Sequence, residues 1–109
     1  MKIHKTNKYT LIKPTETSFT DFFKEFNAKD FEKEHLMIDF LDCFKPSHVE
    51  IEQFSKIART KKEGGTSFIL ICSSVEIDEL EDEDISLVPT LIEAEDILEM
   101  DAMERDLGL

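Results

Sequence analysis

Two rhythms of apolar and polar positions alternate along the chain. In Leu36–Phe40 (LMIDF) and Thr66–Ser74 (TSFILICSS) apolar residues run together, interrupted in the first only by Asp39. Short runs rich in β-branched and large aliphatic residues fit central strands covered on both faces. Lys2–Lys5 and Lys8–Lys13 alternate imperfectly about Thr6-Asn7 and stop at Pro14, which predicts a hairpin at a sheet edge. Ile85–Val88 reads as a last short strand.

Between these runs the period lengthens. Phe19, Phe22, Phe23 and Phe26 stand at i, i+3, i+4, i+7 behind Ser18, a residue whose hydroxyl can cap free N–H groups. Such an aromatic stripe belongs to a core. Asn27 is expected to end this helix. A second helix is predicted from Ser47 to Glu63, opened by the capping box Ser47-x-x-Glu50. Ile51, Phe54, Ile57 and Ala58 would form its buried face. Arg59, Lys61 and Lys62 would complement its negative end, and Gly64-Gly65 would stop it. The third helix spans 90–107, with Thr90-x-x-Glu93 as another capping box. At about 100° per residue, Leu91, Ala94, Ile97, Leu98 and Ala102 gather on one face that should pack on the sheet. Met100, Met103 and Leu107 fall on roughly the opposite side. They form a second apolar stripe suited to a partner or to a second copy through this helix. The alternative is a frayed last turn facing water.

These elements predict an α/β fold in one domain, residues 1–109. It has a mixed central sheet of about four to five strands, with the hairpin at its edge, and three main helices. The length of 109 residues supports one core and not two.

Charge changes the picture at one end. Residues 1–74 carry twelve Lys/Arg against eleven Asp/Glu, whereas residues 75–109 carry fourteen Asp/Glu and only Arg105. That surface repels phosphate backbones and anionic lipids, so nucleic acid and membrane are not expected partners and a basic protein is. Glu76–Asp84 packs seven acids into nine residues. It lacks the alternating ligands and turn glycine of an EF-hand loop, so a solvated acidic loop is expected over a Ca²⁺ site. No apolar run approaches the ~18 residues of a membrane helix. The start MKIHKTNKYT has no apolar signal core, which predicts a cytoplasmic protein.

Candidate chemistry is sparse. Cys43 and Cys72 lie apart among apolar residues and are expected as reduced thiols and not a disulfide. No CxxC occurs, and His4, His35 and His48 are too dispersed for a local metal motif, so neither a metal nor any other cofactor is expected. Asp39 ends a strand, where α/β folds place functional groups, yet it equally suits a carboxylate receiving N–H groups of the following loop. Ser47 and His48 are adjacent at a helix start, so their side chains should diverge and not form a nucleophile–base pair.

The segments HLMIDF (35–40), IEQFSKIARTKKEGG (51–65), FILICSS (68–74) and VPTLIEAEDI (88–97), in this order, resemble the STAS domain of anti-sigma factor antagonists and sulfate-transporter tails. The resemblance covers about three quarters of the chain. It implies a non-enzymatic regulatory module acting through protein–protein contact, with a face around Asp39, Ser47 and His48. Antagonists of that family carry Asp-Ser-Ser-Gly or Asp-Ser-Thr-Gly at the helix start, where a hydroxyl is phosphorylated. Here the segment is Lys45-Pro46-Ser47-His48-Val49-Glu50, without the glycine, which implies a domain lacking the standard serine phosphoswitch. The alternatives are an accessory subunit of a separately encoded hydrolase or nuclease, held by Met100, Met103 and Leu107, and a small-ligand domain using Asp39, Ser47 and His48.

Overall fold

The computed structural model describes residues 1–108. Five strands, β1 (Lys2–Lys5), β2 (Thr10–Lys13), β3 (Leu36–Asp39), β4 (Phe68–Ile71) and β5 (Ser86–Val88), form one mixed sheet in chain order. β1 is antiparallel to β2 and lies at the edge, while β2 to β5 are parallel neighbours. The predicted α/β class, the hairpin edge and the two central strands are all present. The strands are shorter than the apolar runs. Lys8 and Tyr9 belong to the turn, where the Thr6 hydroxyl oxygen accepts from both of their N–H groups.

Register makes the sheet two-faced. Ile12, Ile38, Leu70 and Leu87 stand side by side across four strands and point to one core. Leu11, Met37 and Ile69 form the neighbouring row and point to the other, with Ile71 beside Val88. A strand side chain alternates faces, so a continuous run such as LMI can be buried only if both sides are covered.

The first face is covered by α1 (Phe19–Glu25), by a 3-10 turn over Ala28–Phe31, by α2 (His48–Glu52) and by α3 (Ser55–Glu63). Ser18 caps α1, its Oγ accepting from Asp21 N–H at 3.2 Å. α1 stops two residues before Asn27, with Phe26 as its C-cap, and the Asn27 side chain instead caps the 3-10 turn by accepting from Lys29 N–H. All nine phenylalanines meet in one layer here.

The helix predicted over 47–63 is broken in two. Gln53 and Phe54 N–H groups donate to Glu50 and Ile51, three residues back, and the Ser55 hydroxyl donates to the Glu52 carbonyl at 2.7 Å. This tight turn seats Phe54 against five other phenylalanine rings at centroid separations of 5.3–6.2 Å. Packing of one large ring overrides continuity of the helix.

At the far end of α3, Gly65 takes φ +78°, a conformation in which a Cβ is strained. Gly65 N–H donates to Lys62 O and Thr66 N–H to Lys61 O, the paired bonds of a Schellman stop. Lys61 does not lie along the helix end as expected. It is buried, and its Nζ crosses to the carbonyls of Phe31 at 2.8 Å and Glu34 at 2.6 Å. Burial lowers its pKa, opposed by Glu34 and Glu32.

Among the described residues the second face is covered by one helix, α4 (Leu91–Asp106), with Tyr9 packed beside it. Ala94 and Leu98 are buried and Leu91 and Ile97 half-buried, as expected, but Ala102 is exposed because the helix has already passed the sheet edge. Thr90 accepts from Glu93 N–H at 3.2 Å. The reciprocal half of the box is missing, since the Glu93 carboxylate takes the Thr90 hydroxyl at 3.3 Å instead of its backbone N–H.

Phe54→Ala is expected to cost about 3–5 kcal/mol in urea denaturation, because the cavity opens among rings that cannot all close in. A loss below about 1 kcal/mol would show that the layer does not depend on this ring. Lys61→Met, of similar length and without donors, is expected to cost about 1–3 kcal/mol by stranding two carbonyls.

Candidate functional site

Three groups of residues compete for function, and they lie in different places. Asp39, Ser47 and His48 flank the carboxyl end of β3. Asp39 is buried, and its Oδ1 accepts the Leu41 N–H at 2.8 Å, which organises the loop after the strand. Ser47 and Glu50 complete their box: Ser47 Oγ accepts from Glu50 N–H at 3.2 Å, and Glu50 Oε1 from Ser47 N–H at 3.0 Å. His48 is exposed on the first turn of α2. No hydrogen bond among the described residues joins the three. The carboxylate of Glu50 beside the cap would also repel a phosphate placed on Ser47.

The cysteines border the same end. Both are free thiols. Cys72 is buried, with Sγ 3.1 Å from the Ser74 hydroxyl, which donates on to the Pro46 carbonyl at 2.9 Å. That chain ties the end of β4 to the segment leading into α2. Cys43 is half-buried, and its Sγ lies 3.4 Å from the Phe44 carbonyl. Burial, with Asp39 next in effect, pushes its thiol up to about 11.

The acidic loop is pinned at its end. Asp84 meets Arg59 Nε and Lys62 Nζ at 3.3 Å each, and Asp82 meets Arg59 at 3.9 Å. Glu81 N–H reaches back to Glu52 Oε1 at 2.8 Å. Among the described residues no group of three or more His, Cys, Asp or Glu is placed to hold a metal ion. Among these same residues no helix is long and apolar enough to cross a membrane.

The second group is the outer stripe of α4. Met100, Met103 and Leu107 are 55, 59 and 73% exposed, and Ile92, overlooked in the sequence, joins them at 73%. Ile92 precedes Met103 by eleven residues, close to three full turns at about 3.6 residues each, so it extends the stripe toward the start of the helix. The stripe is flanked by Glu93, Asp96, Glu99 and Glu104.

The third group was not visible in the sequence. At the amino ends of the strands, His35 Nδ1 accepts the Ser67 N–H at 3.0 Å. Ser67 Oγ donates to Asp101 Oδ2 at 2.8 Å and receives Arg105 Nη2 at 3.3 Å. Burial, then Arg105 and Lys61, lowers the His35 pKa. Ser, His and Asp are thus neighbours, but the wiring is not that of a nucleophile. The hydroxyl faces a carboxylate, and the imidazole nitrogen nearest it is occupied by a backbone donor. Residues 32 to 38 positions apart meet here, and no local pattern announces them.

No protein-family model matches the chain, and no curated protein matches it.

Ser47→Ala is expected to cost about 0.5–2 kcal/mol, while Ser47→Asn, which can also cap and adds no charge beside Glu50, keeps most of that stability. Equal losses for both in thermal denaturation would contradict the cap. For Cys43, a thiol near 11 leaves roughly one part in a thousand as thiolate at pH 8. Its alkylation by iodoacetamide should therefore rise about tenfold per pH unit from pH 8 toward 10. A rate already level by pH 9 would contradict this placement.

Proposed function

We propose that this domain is a non-enzymatic, STAS-like regulatory interaction module that docks a basic protein segment on the outer face of α4. The observation that carries the reading is the stripe of Ile92, Met100, Met103 and Leu107, each more than half exposed. The inner face of the same helix is already packed through Ala94 and Leu98, so the stripe contributes nothing to the domain's own core. Flexible methionines on an exposed helix face adapt well to a partner's apolar side chains.

Charge favours a basic partner over a second copy. α4 carries seven Asp/Glu against Arg105, and two such helices brought together would repel each other. The capped and loop-committed state of Ser47 and Asp39 speaks against a phosphoswitch at that face. The reading therefore places recognition on α4 and leaves the carboxyl ends of the strands as scaffold.

An amphipathic lysine–leucine helical peptide, with its glutamate–leucine counterpart as control, provides the probe. Only the basic peptide is expected to bind, with NMR shifts centred on the outer face of α4. Met103→Ser with Met100→Ser, which leaves every charge in place, should weaken it roughly tenfold, about 1.4 kcal/mol. Unchanged affinity in that double variant would reduce the contact to charge alone and sink the stripe. A dimer in analytical ultracentrifugation that dissociates on Met103→Asp would replace the basic partner with a second copy.

A further inference from the structure

Two cations on this acidic surface are left without an ionic partner. Arg105 is the one basic residue in positions 75–109, and Lys8 stands in the β1–β2 turn. Neither makes an ion pair among the described residues. Arg105 spends a single N–H on Ser67 Oγ, which leaves the rest of its guanidinium fork free. Both border an open cleft of about 340 Å³ between that turn, the start of β3 and the second half of α4. His35 lines the same cleft. Because its Nδ1 accepts a backbone N–H, the ring proton sits on Nε2, which has no hydrogen-bond partner among the described residues. The floor is apolar, made by Leu98 and the exposed Ala102.

We propose that this cleft binds a small organic monocarboxylate, its carboxylate held by Arg105, His35 and Lys8 and its apolar body laid along Leu98 and Ala102.

The donor set suits a carboxylate. A guanidinium offers two parallel N–H groups to two oxygens, and a neutral imidazole adds a donor without adding charge. Burial and the neighbouring Arg105 hold His35 toward that neutral form. A single negative charge fits better than a phosphate dianion, because Glu99 lines the cleft and Asp101 lies one turn from Arg105. The volume is at the low end for ligand sites and has room for a body of one aromatic ring or a short alkyl chain. This site is separate from the outer stripe of α4, so each can fail without the other.

Benzoate, benzyl alcohol and benzylamine are titrated into the intact ¹⁵N-labelled chain. Benzoate is expected to give saturable shifts centred on Lys8, His35, Leu98, Ala102 and Arg105, with millimolar affinity. The alcohol and the amine should bind at least about tenfold more weakly, as loss of charge-assisted hydrogen bonds implies. Arg105→Gln should weaken benzoate by a similar factor. Because Arg105 also touches Ser67, a second variant guards against a folding defect: Ala102→Phe keeps every charge, fills the floor and should abolish binding. Absence of saturable shifts, an equal response to benzyl alcohol, or undiminished binding by Ala102→Phe would overturn the site. A free peptide carboxyl terminus binding more than tenfold tighter than benzoate, with its amide inert, would overturn the small-molecule assignment in favour of a chain end.

Discussion

The position of Phe54 is the constraint from which the rest of the fold follows. Its ring sits among those of Phe19, Phe23, Phe26, Phe40 and Phe68, drawn from α1 and the residue after it, the residue after β3, and β4. Rings of this size bury large apolar areas, and edge-on contacts between them add to that burial. The chain gives up an unbroken helix over 47–63 to reach this arrangement, accepting tighter hydrogen bonds at Gln53 and Phe54. With Phe54 in place, Ile51 and Ala58 on either side of the break still face the same core. The short α2 is then held by its box at Ser47, since five residues alone would not persist as a helix.

The opposite face is covered much more lightly. One helix spans it, and Ala94 and Leu98 are its buried residues. Beyond Leu98 the helix has left the apolar surface of the sheet, and polar contacts take over: Asp101 and Arg105 both reach Ser67. Near the other end, Tyr9 OH donates to Glu95 at 3.1 Å. A helix held by a narrow apolar strip and a few polar ties has most of its circumference free. That freedom lets a second apolar face exist without conflict with the core, and it brings Arg105 back to the foot of the sheet where Lys8 and His35 lie.

The sequence made legible whatever depends on neighbours along the chain. Continuous apolar runs announced β3 and β4, the four-residue spacing of phenylalanines announced α1, and Ser18, Ser47 and Thr90 marked helix starts. Gly64-Gly65 marked a stop. What depends on distant partners was hidden. The break at Phe54 is set by rings from other elements, and Lys61 was drawn to carbonyls some thirty residues away. Ala102 has the right helical phase to be buried, but phase carries no information on where the sheet ends. The cluster of His35, Ser67 and Arg105 forms only once β3, β4 and α4 have been laid beside one another. Asp39 and Ser47 were legible as polar residues at privileged positions, and local hydrogen bonds account for both.

Charge follows the same division between local and distant control. The five ion pairs among the described residues involve the amino-terminal half, α3 and the end of the acidic loop, and none involves α4. Arg59 and Lys62 thus neutralise part of the loop, while the acids of α4 keep their full field. An exposed charge that is already paired attracts little, whereas unpaired charges along one helix act together over about a Debye length of ~8 Å at physiological salt. An unpaired acidic field that would steer a basic segment therefore runs along the helix that carries the exposed methionines. Arg105 is the exception within that field. Paired with no acid among the described residues, it is turned toward the foot of the sheet, where a carboxylate approaching from solvent would be held by specific donors against an unfavourable background.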